Sequence, residues 1–171
     1  MKIHRAYKTE IKPNNKQRTL CLKSAGTARF AYNWALQRKI EAYAATGKAP
    51  SAIDLHNQLI AIKKSDFPWM YEVSKCCPQE AIRNLDSAYA NFFRRAKKGG
   101  KPGFPRFKSK HRSSSTFRLT GTIRVKDDRI RIPRIGWIRL KETGYLPTDL
   151  HILRTTVSEK AGRWFVSVNV E

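Results

Sequence analysis

The residues of this chain best suited to chemistry are cations interleaved with aromatic rings. Between Arg94 and Arg112 lie nine Lys or Arg and no acid: Arg94, Arg95, Lys97, Lys98, Lys101, Arg106, Lys108, Lys110 and Arg112. Phe104, Phe107 and Phe117 punctuate the same region, KKGGKPGFPRFKSKHRSSSTFR. So charged a segment repels itself and cannot build its own core. A solvated linker would account for the charge, but linkers avoid aromatics. Cations alternating with rings suit a nucleic-acid strand, with charge gripping phosphate while Phe104 and Phe107 stack on unpaired bases.

A second set of cations alternates with branched apolar residues. Thr122–Lys126 and Arg129–Ile132 flank Asp127-Asp128, the pattern of a hairpin. Ile123, Val125, Ile130 and Ile132 point one way, and Arg124, Lys126, Arg129 and Arg131 the other. That basic face is either solvated or a phosphate contact. Catalytic spacing is missing by comparison. The four histidines (4, 56, 111 and 151) form no HxxxH or Ser/His/Asp arrangement, and the 13 acids are scattered. Cys21, Cys76 and Cys77 are odd in number and lack paired CxxC spacing. They read as small buried hydrophobes, and neither a disulfide framework nor a metal site is expected.

Composition agrees with a polyanionic partner. The chain has 171 residues, 40% hydrophobic and 11% aromatic, enough for a core of one domain or two small ones. Against it stands a net charge of +22, which opposes compaction and attracts nucleic acid or, as the rival, an anionic membrane surface. No apolar run reaches the roughly 20 residues of a membrane span. The opening MKIHRAYKTEIKP lacks the apolar core of a signal peptide. The expectation is an intracellular protein without a membrane partner.

These residues need a scaffold. IHRAYKTEI (3–11) reads as a strand ending at Pro13. Asn14 or Asn15 then caps a short helix that Gly26 interrupts. A second helix runs from about Thr27 to Ala45 and closes at Gly47. Ser51 caps a third through about Lys64, and DFPW breaks it. The clearest helix runs from Pro78, at its first position, to about Lys97. Its stripe is Ile82, Leu85, Tyr89, Phe92 and Phe93. Beyond it the period falls to two: after the hairpin, Trp137–Leu140, His151–Val157 and Trp164–Val170 read as strands. One strand, four helices and five or so strands predict an α+β fold. In it an antiparallel barrel or sandwich accepts the first strand and excludes the helices as an insert.

The segments SAGTARFAYNWAL (24–36), NLDSAYANFFRR (84–95), KPGFPRFKSK (101–110), TFRLT (116–120) and IRIPRIGWIRL (130–140) resemble, in that order, the N-terminal half of TnpB proteins. These are insertion-sequence proteins similar to the ancestors of type V CRISPR effectors. The resemblance implies an OB-like antiparallel β-barrel (the wedge) with an inserted helical recognition subdomain. The first wedge strand would occupy 1–12, the insert 13–98, a basic linker loop 99–115 and the remaining wedge strands 116–171. It implies an RNA-guided DNA endonuclease, with guide RNA and double-stranded target DNA as partners. It places target-motif readout where insert meets barrel, at Lys75, Gln79 and Thr122, with His56 and Ser51 on the preceding helix as weaker candidates. A lysine can donate to guanine and a glutamine can pair bidentately with adenine. Apart from the family, Lys75 could be a solvated lysine and Gln79 a residue bonding to its own helix.

The sequence stops at Glu171, where the family's RuvC-like nuclease domain and zinc ribbon would follow. The expectation is therefore a chain that binds but does not cut, with divalent metal and zinc confined to a nuclease half in cis or on a separate chain. A fragment, a natural truncation and one part of a split effector all fit. The alternative is a stand-alone binder, such as a nuclease-less RNA-guided repressor. Either would be a cytoplasmic, nucleoid-associated prokaryotic protein.

Overall fold

The computed structural model describes residues 2–171. Strand β1 (Arg5–Lys12) is followed by helices α1 (Asn15–Thr46), α2 (Ala52–Asp66) and α3 (Cys76–Lys97), with a 3-10 turn at Pro68–Glu72 before α3. Six strands complete the chain: β2 (Thr116–Leu119), β3 (Arg124–Lys126), β4 (Arg129–Ile132), β5 (Gly136–Leu140), β6 (Ile152–Lys160) and β7 (Arg163–Val170). They join β1 in a seven-stranded antiparallel sheet of order β2-β6-β7-β1-β5-β4-β3. The fold is α+β. β1 is paired on both sides, Tyr7 with Val168 of β7 and Ile11 with Leu140 of β5. The helices are thus an excursion that leaves the middle of the sheet and returns to its edge at β2.

Period-two burial builds the sheet core. Trp164, Val166, Val168 and Val170 face inward along β7, as do Ile130 and Ile132 on β4 and Phe117 and Leu119 on β2. This core is continuous with the helical one, which includes Ala31, Leu36, Leu55 and Leu85. Lys39 pins the helices to one another. Its buried ammonium lies 2.8 Å from both the Pro50 carbonyl and Asp86 Oδ1, and Asp86 Oδ2 accepts the N–H of Ala52 at 3.2 Å. α1, the start of α2 and α3 are thereby joined through one charge pair.

Four elements differ from the expectations. The two helices divided at Gly26 are one 32-residue helix, entered through the reciprocal Asn14–Gln17 capping box and closed at Gly47 in the left-handed region (φ 72°). A helical glycine costs about 1 kcal/mol against alanine. Burial of its neighbours Ala25, Thr27 and Ala28 outweighs that. Three α-helices therefore stand where four were expected. α3 begins at Cys76, so Pro78 is its third residue; the missing N–H is still tolerated, because first-turn N–H groups have no intrahelical acceptor. Thr122 precedes β3 instead of opening it, because the Ile123 N–H turns back to the Gly121 carbonyl at 2.8 Å. TFRL at 116–119 is a strand in its own right.

Glu10 clamps β1 to both neighbours. Arg163 of β7 grips it with two hydrogen bonds (3.0 and 2.6 Å), and Lys141, just beyond β5, approaches to 3.0 Å. The Arg163 guanidinium, then Lys141, hold its carboxyl at about 2, below the ordinary 4.5.

Two outcomes follow. Around Gly26 a methyl group would meet nothing closer than the end of the Arg29 side chain, 3.8 Å away. Gly26→Ala should therefore stabilise the free protein by about 0.5–1 kcal/mol in denaturant unfolding. Glu10 stabilises the fold only while ionised. Its contribution is complete above pH 4.5 and is lost as pH falls toward 2. The stability gap between wild type and Glu10→Gln should stay constant near neutrality and shrink across that acid window.

Candidate nucleic-acid interface

The start of α3 meets the last turns of α2 and the turns around β3 and β4, and a cleft of about 970 Å³ opens there. Lys75 and Gln79 line it from the start of α3, and His56 and Lys63 from α2. Tyr71 comes from the 3-10 turn, and Thr122, Arg131 and Arg134 from the strand region. Lys75 occupies the helix N-cap position without a side-chain capping bond. Gln79 lies one turn further along the same face. The N–H groups at this helix start add partial positive charge.

The cleft is electropositive, lined by Lys63, Lys75, Arg131 and Arg134 and by no Asp or Glu among the described residues. The Lys63 ammonium lies 4.4 Å from the centre of the Tyr71 ring. Burial, and then the Arg134 guanidinium, push its pKa down. Burial first, then Arg83 and Lys63, push the His56 imidazole below its ordinary value. Its Nδ1 is buried with no partner among the described residues. Arg134 sits at φ 69°, where glycine would be relaxed. The turn thus carries some strain while it holds a cation at the cleft.

Four of the five readout candidates, Lys75, Gln79, Thr122 and His56, line this one cleft. Ser51 stands apart from them. Its hydroxyl accepts the Asp54 N–H and donates to Asp54 Oδ2, capping α2. Lys63, Tyr71 and Arg134 escaped the sequence reading, because they lie in different elements and share no local pattern.

The basic strand face is wider than the hairpin. Register places Lys126 opposite Arg129, Arg129 opposite Arg139, and Arg139 opposite Lys12. Four cations thus form a row across β3, β4, β5 and β1, about 14 Å long at a strand spacing of about 4.8 Å. Arg124 stands opposite Arg131 in the next row, and the Lys126 ammonium lies 4.8 Å from the Trp137 ring. Like charges directly opposite one another destabilise a sheet. Within the hairpin, Asp128 relieves Arg129 at 3.0 Å. The alternation of GWIRL could have revealed Arg139; Lys12 enters the row only through the pairing of β1 with β5.

The loop between α3 and β2 is docked on the helices. Asn33 of α1 bonds the Lys108 backbone twice, accepting its N–H and donating to its carbonyl, both at 2.8 Å. Phe104 packs edge-on against Tyr89 and Phe92 of α3, with centroids 5.3 and 5.5 Å apart. Phe107 is more than half exposed. Arg94 bonds the Asn91 side chain at 3.0 Å. Arg95, Lys97, Lys98, Lys101, Arg106, Lys110 and Arg112 are exposed. Lys108 departs from the expected outward row. Its ammonium turns inward, 4.1 Å from the Tyr32 ring, because the Asn33 bonds draw its backbone onto α1. Among the described residues, no group of three or more His, Cys, Asp or Glu is placed to hold a metal ion, and no helix is long and apolar enough to cross a membrane.

The two loop phenylalanines should separate in thermal unfolding of the free protein. Phe104→Ala removes aromatic pairs worth about 0.5–1.5 kcal/mol each beyond their buried area, and should lower the melting temperature. Phe107→Ala should stay within about 0.5 kcal/mol of wild type.

Comparison with known proteins bears on these surfaces. Residues 1–48 match a family described as a helix-turn-helix domain, of the OrfB/IS605 type. Over that span the structure has β1 and the unbroken α1; the turn after Gly47 and the second helix lie beyond it. The chain is 29% identical over 174 residues to an Escherichia coli (strain K12) protein that carries the provisional name RNA-guided DNA endonuclease InsQ, covering 100% of this chain and 41% of that protein. It is 28% identical over 177 residues to a Streptomyces pristinaespiralis protein with the same provisional description, covering 99% and 42%. The chain thus spans about two-fifths of the length of these relatives. The matches bear out the resemblance to the TnpB family of insertion-sequence RNA-guided DNA endonucleases, and this chain is a relative of the N-terminal portion of those proteins.

Proposed function

We propose that the chain is the nucleic-acid-binding portion of a TnpB-type RNA-guided DNA endonuclease. The guide RNA lies along the exposed loop cations and the basic face of β3–β5. The cleft at the start of α3 reads a short motif in target DNA. The antiparallel sheet plays the part of an OB-like wedge and the helices that of the recognition insert. Cleavage and its metal ions are assigned to the nuclease portion. The observation that carries this reading is the convergence of Lys75, Gln79 and Thr122 on one electropositive cleft, although they are drawn from both sides of the basic loop. Lysine and glutamine offer donors and an acceptor that match base edges in a major groove. Arg131 and Arg134 supply cations for the flanking phosphates.

The test is a binding selection on duplex DNA with a randomised motif, using the complex of this chain, its copurifying RNA and the nuclease portion. Gln79→Ala should relax preference at one motif position, at about 1–3 kcal/mol of discrimination, and leave RNA affinity unchanged. Arg134→Gly should weaken all sequences alike, because a phosphate contact carries no sequence information. A Gln79→Ala motif identical to wild type at every position would sink the assignment.

A further inference from the structure

Beneath the basic loop lies a second and more enclosed cavity of about 240 Å³, bounded by α1, α3, β2 and the loop itself. Its existence follows from small side chains. Ala25 and Ala28 of α1 and Ala81 of α3 line it, and they are too short to fill the space where the helices meet the edge of the sheet. Three cations line this space: Arg29 of α1, Lys108 of the loop and Arg118 of β2. On β2, Phe117 and Leu119 turn into the sheet core, so the alternation sends Arg118 the other way, toward the helices. Its Nη1 donates to Asn84 Oδ1 at 2.9 Å, while its Nε is buried with no partner among the described residues. Lys108 lines it from the loop, held at its backbone by Asn33, with its ammonium beside the Tyr32 ring.

Among the described residues no acid forms an ion pair with Lys108 or Arg118. Glu80 is close enough to act on Arg118, but its carboxylate is engaged by Arg83 at 2.7 Å. Burial pushes the pKa of both cations down, and their mutual repulsion pushes Lys108 further. Arg154 adds to the repulsion at Arg118. Partly buried cations without a counter-charge oppose folding. Ser113, Ser114 and Thr156 complete the wall, and each carries a hydroxyl able to donate. A ligand suited to such a wall is a compact multivalent acceptor carrying negative charge.

The geometry points to a phosphate-binding pocket at Lys108 and Arg118 that receives one phosphodiester of the bound RNA strand. This rests on the reading of the chain as an RNA binder. It adds a buried anchor to the exposed cations, placed where the loop crosses from α3 to β2. A phosphate here would tie loop, helices and sheet edge together, and RNA binding would order that junction.

The experiment has two arms. In the first, thermal unfolding of the free protein is compared in inorganic phosphate and in chloride at equal ionic strength. Wild type should gain melting temperature in phosphate. Lys108→Met should lose that gain, and Lys160→Met, at the exposed end of β6, should keep it. Lys108→Met preserves the aliphatic stem and the backbone bonds to Asn33, so it should fold; Arg118→Gln is the second variant. No gain in wild type, or a gain retained in Lys108→Met, overturns the pocket. In the second arm, affinity for a 20-nucleotide single-stranded RNA is measured against salt. Loss of one contact should reduce the log–log slope by about 0.7. A phosphate effect with an unchanged RNA slope in Lys108→Met would make this a site for a free anion and overturn the RNA assignment. Failure of wild type to bind RNA would sink the functional reading itself, and the phosphate arm would still decide whether the pocket takes the anion.

Discussion

The pairing of β1 on both sides is the constraint on which the rest of the structure depends. A strand at the chain's start that is flanked by β7 and β5 is not paired on both sides until the last strand arrives. Everything between must therefore be an excursion from the centre of the sheet. It departs at Lys12 and returns at Thr116, on the opposite edge from β3. The returning loop must cross the helices to get there, which is why it is pinned by Asn33 and Phe104. The cleft arises from the same geometry, because the start of α3 is carried to the turns around β3 and β4.

Charge is distributed by the same logic. The few acids work mainly as structural links: Glu10 between three strands, Asp86 between three helices, Glu80 beneath Arg83. These three neutralise cations at junctions, while exposed acids such as Asp128 and Glu72 oppose only single surface cations. The row from Lys126 to Lys12, the exposed loop and the cleft all keep like charges close together. Each such surface weakens the free protein and gains most from a polyanion, whose phosphates replace the counterions that would otherwise gather there. Charge that weakens the free fold is thus the same charge that a polyanion would offset.

Much of the fold was legible because it rests on local periodicity. The capping residues Asn14 and Ser51, the stop at Gly47, the stripe of α3 and the two-residue turn at Asp127-Asp128 each act within a few positions of sequence. Errors came where a tertiary contact overrode a local signal. Gly26 marks a helix break by propensity, yet packing of Ala25 and Ala28 carries the helix through it. Lys108 was indistinguishable from its neighbours in the loop, and only the Asn33 bonds turn it inward. The cleft was legible in part. The TnpB resemblance pointed to Lys75, Gln79, Thr122 and His56, but Lys63, Tyr71 and Arg134 join them by proximity alone.

By itself the sequence determined the charge that a partner must meet and the classes of structure. A net charge of +22 beside a sufficient core, cations interleaved with aromatics, and a switch from helical to strand period are properties of composition and near neighbours. Tertiary structure decided which cations act together and which are buried. Lys12 and Arg139 are 127 positions apart and stand side by side only because β1 pairs with β5. Arg118 faces a cavity only because α1 and α3 cover the edge of the sheet with alanines. Charge is carried by single residues, whereas a site is a distance between residues, and distances across the chain exist only once the excursion has closed.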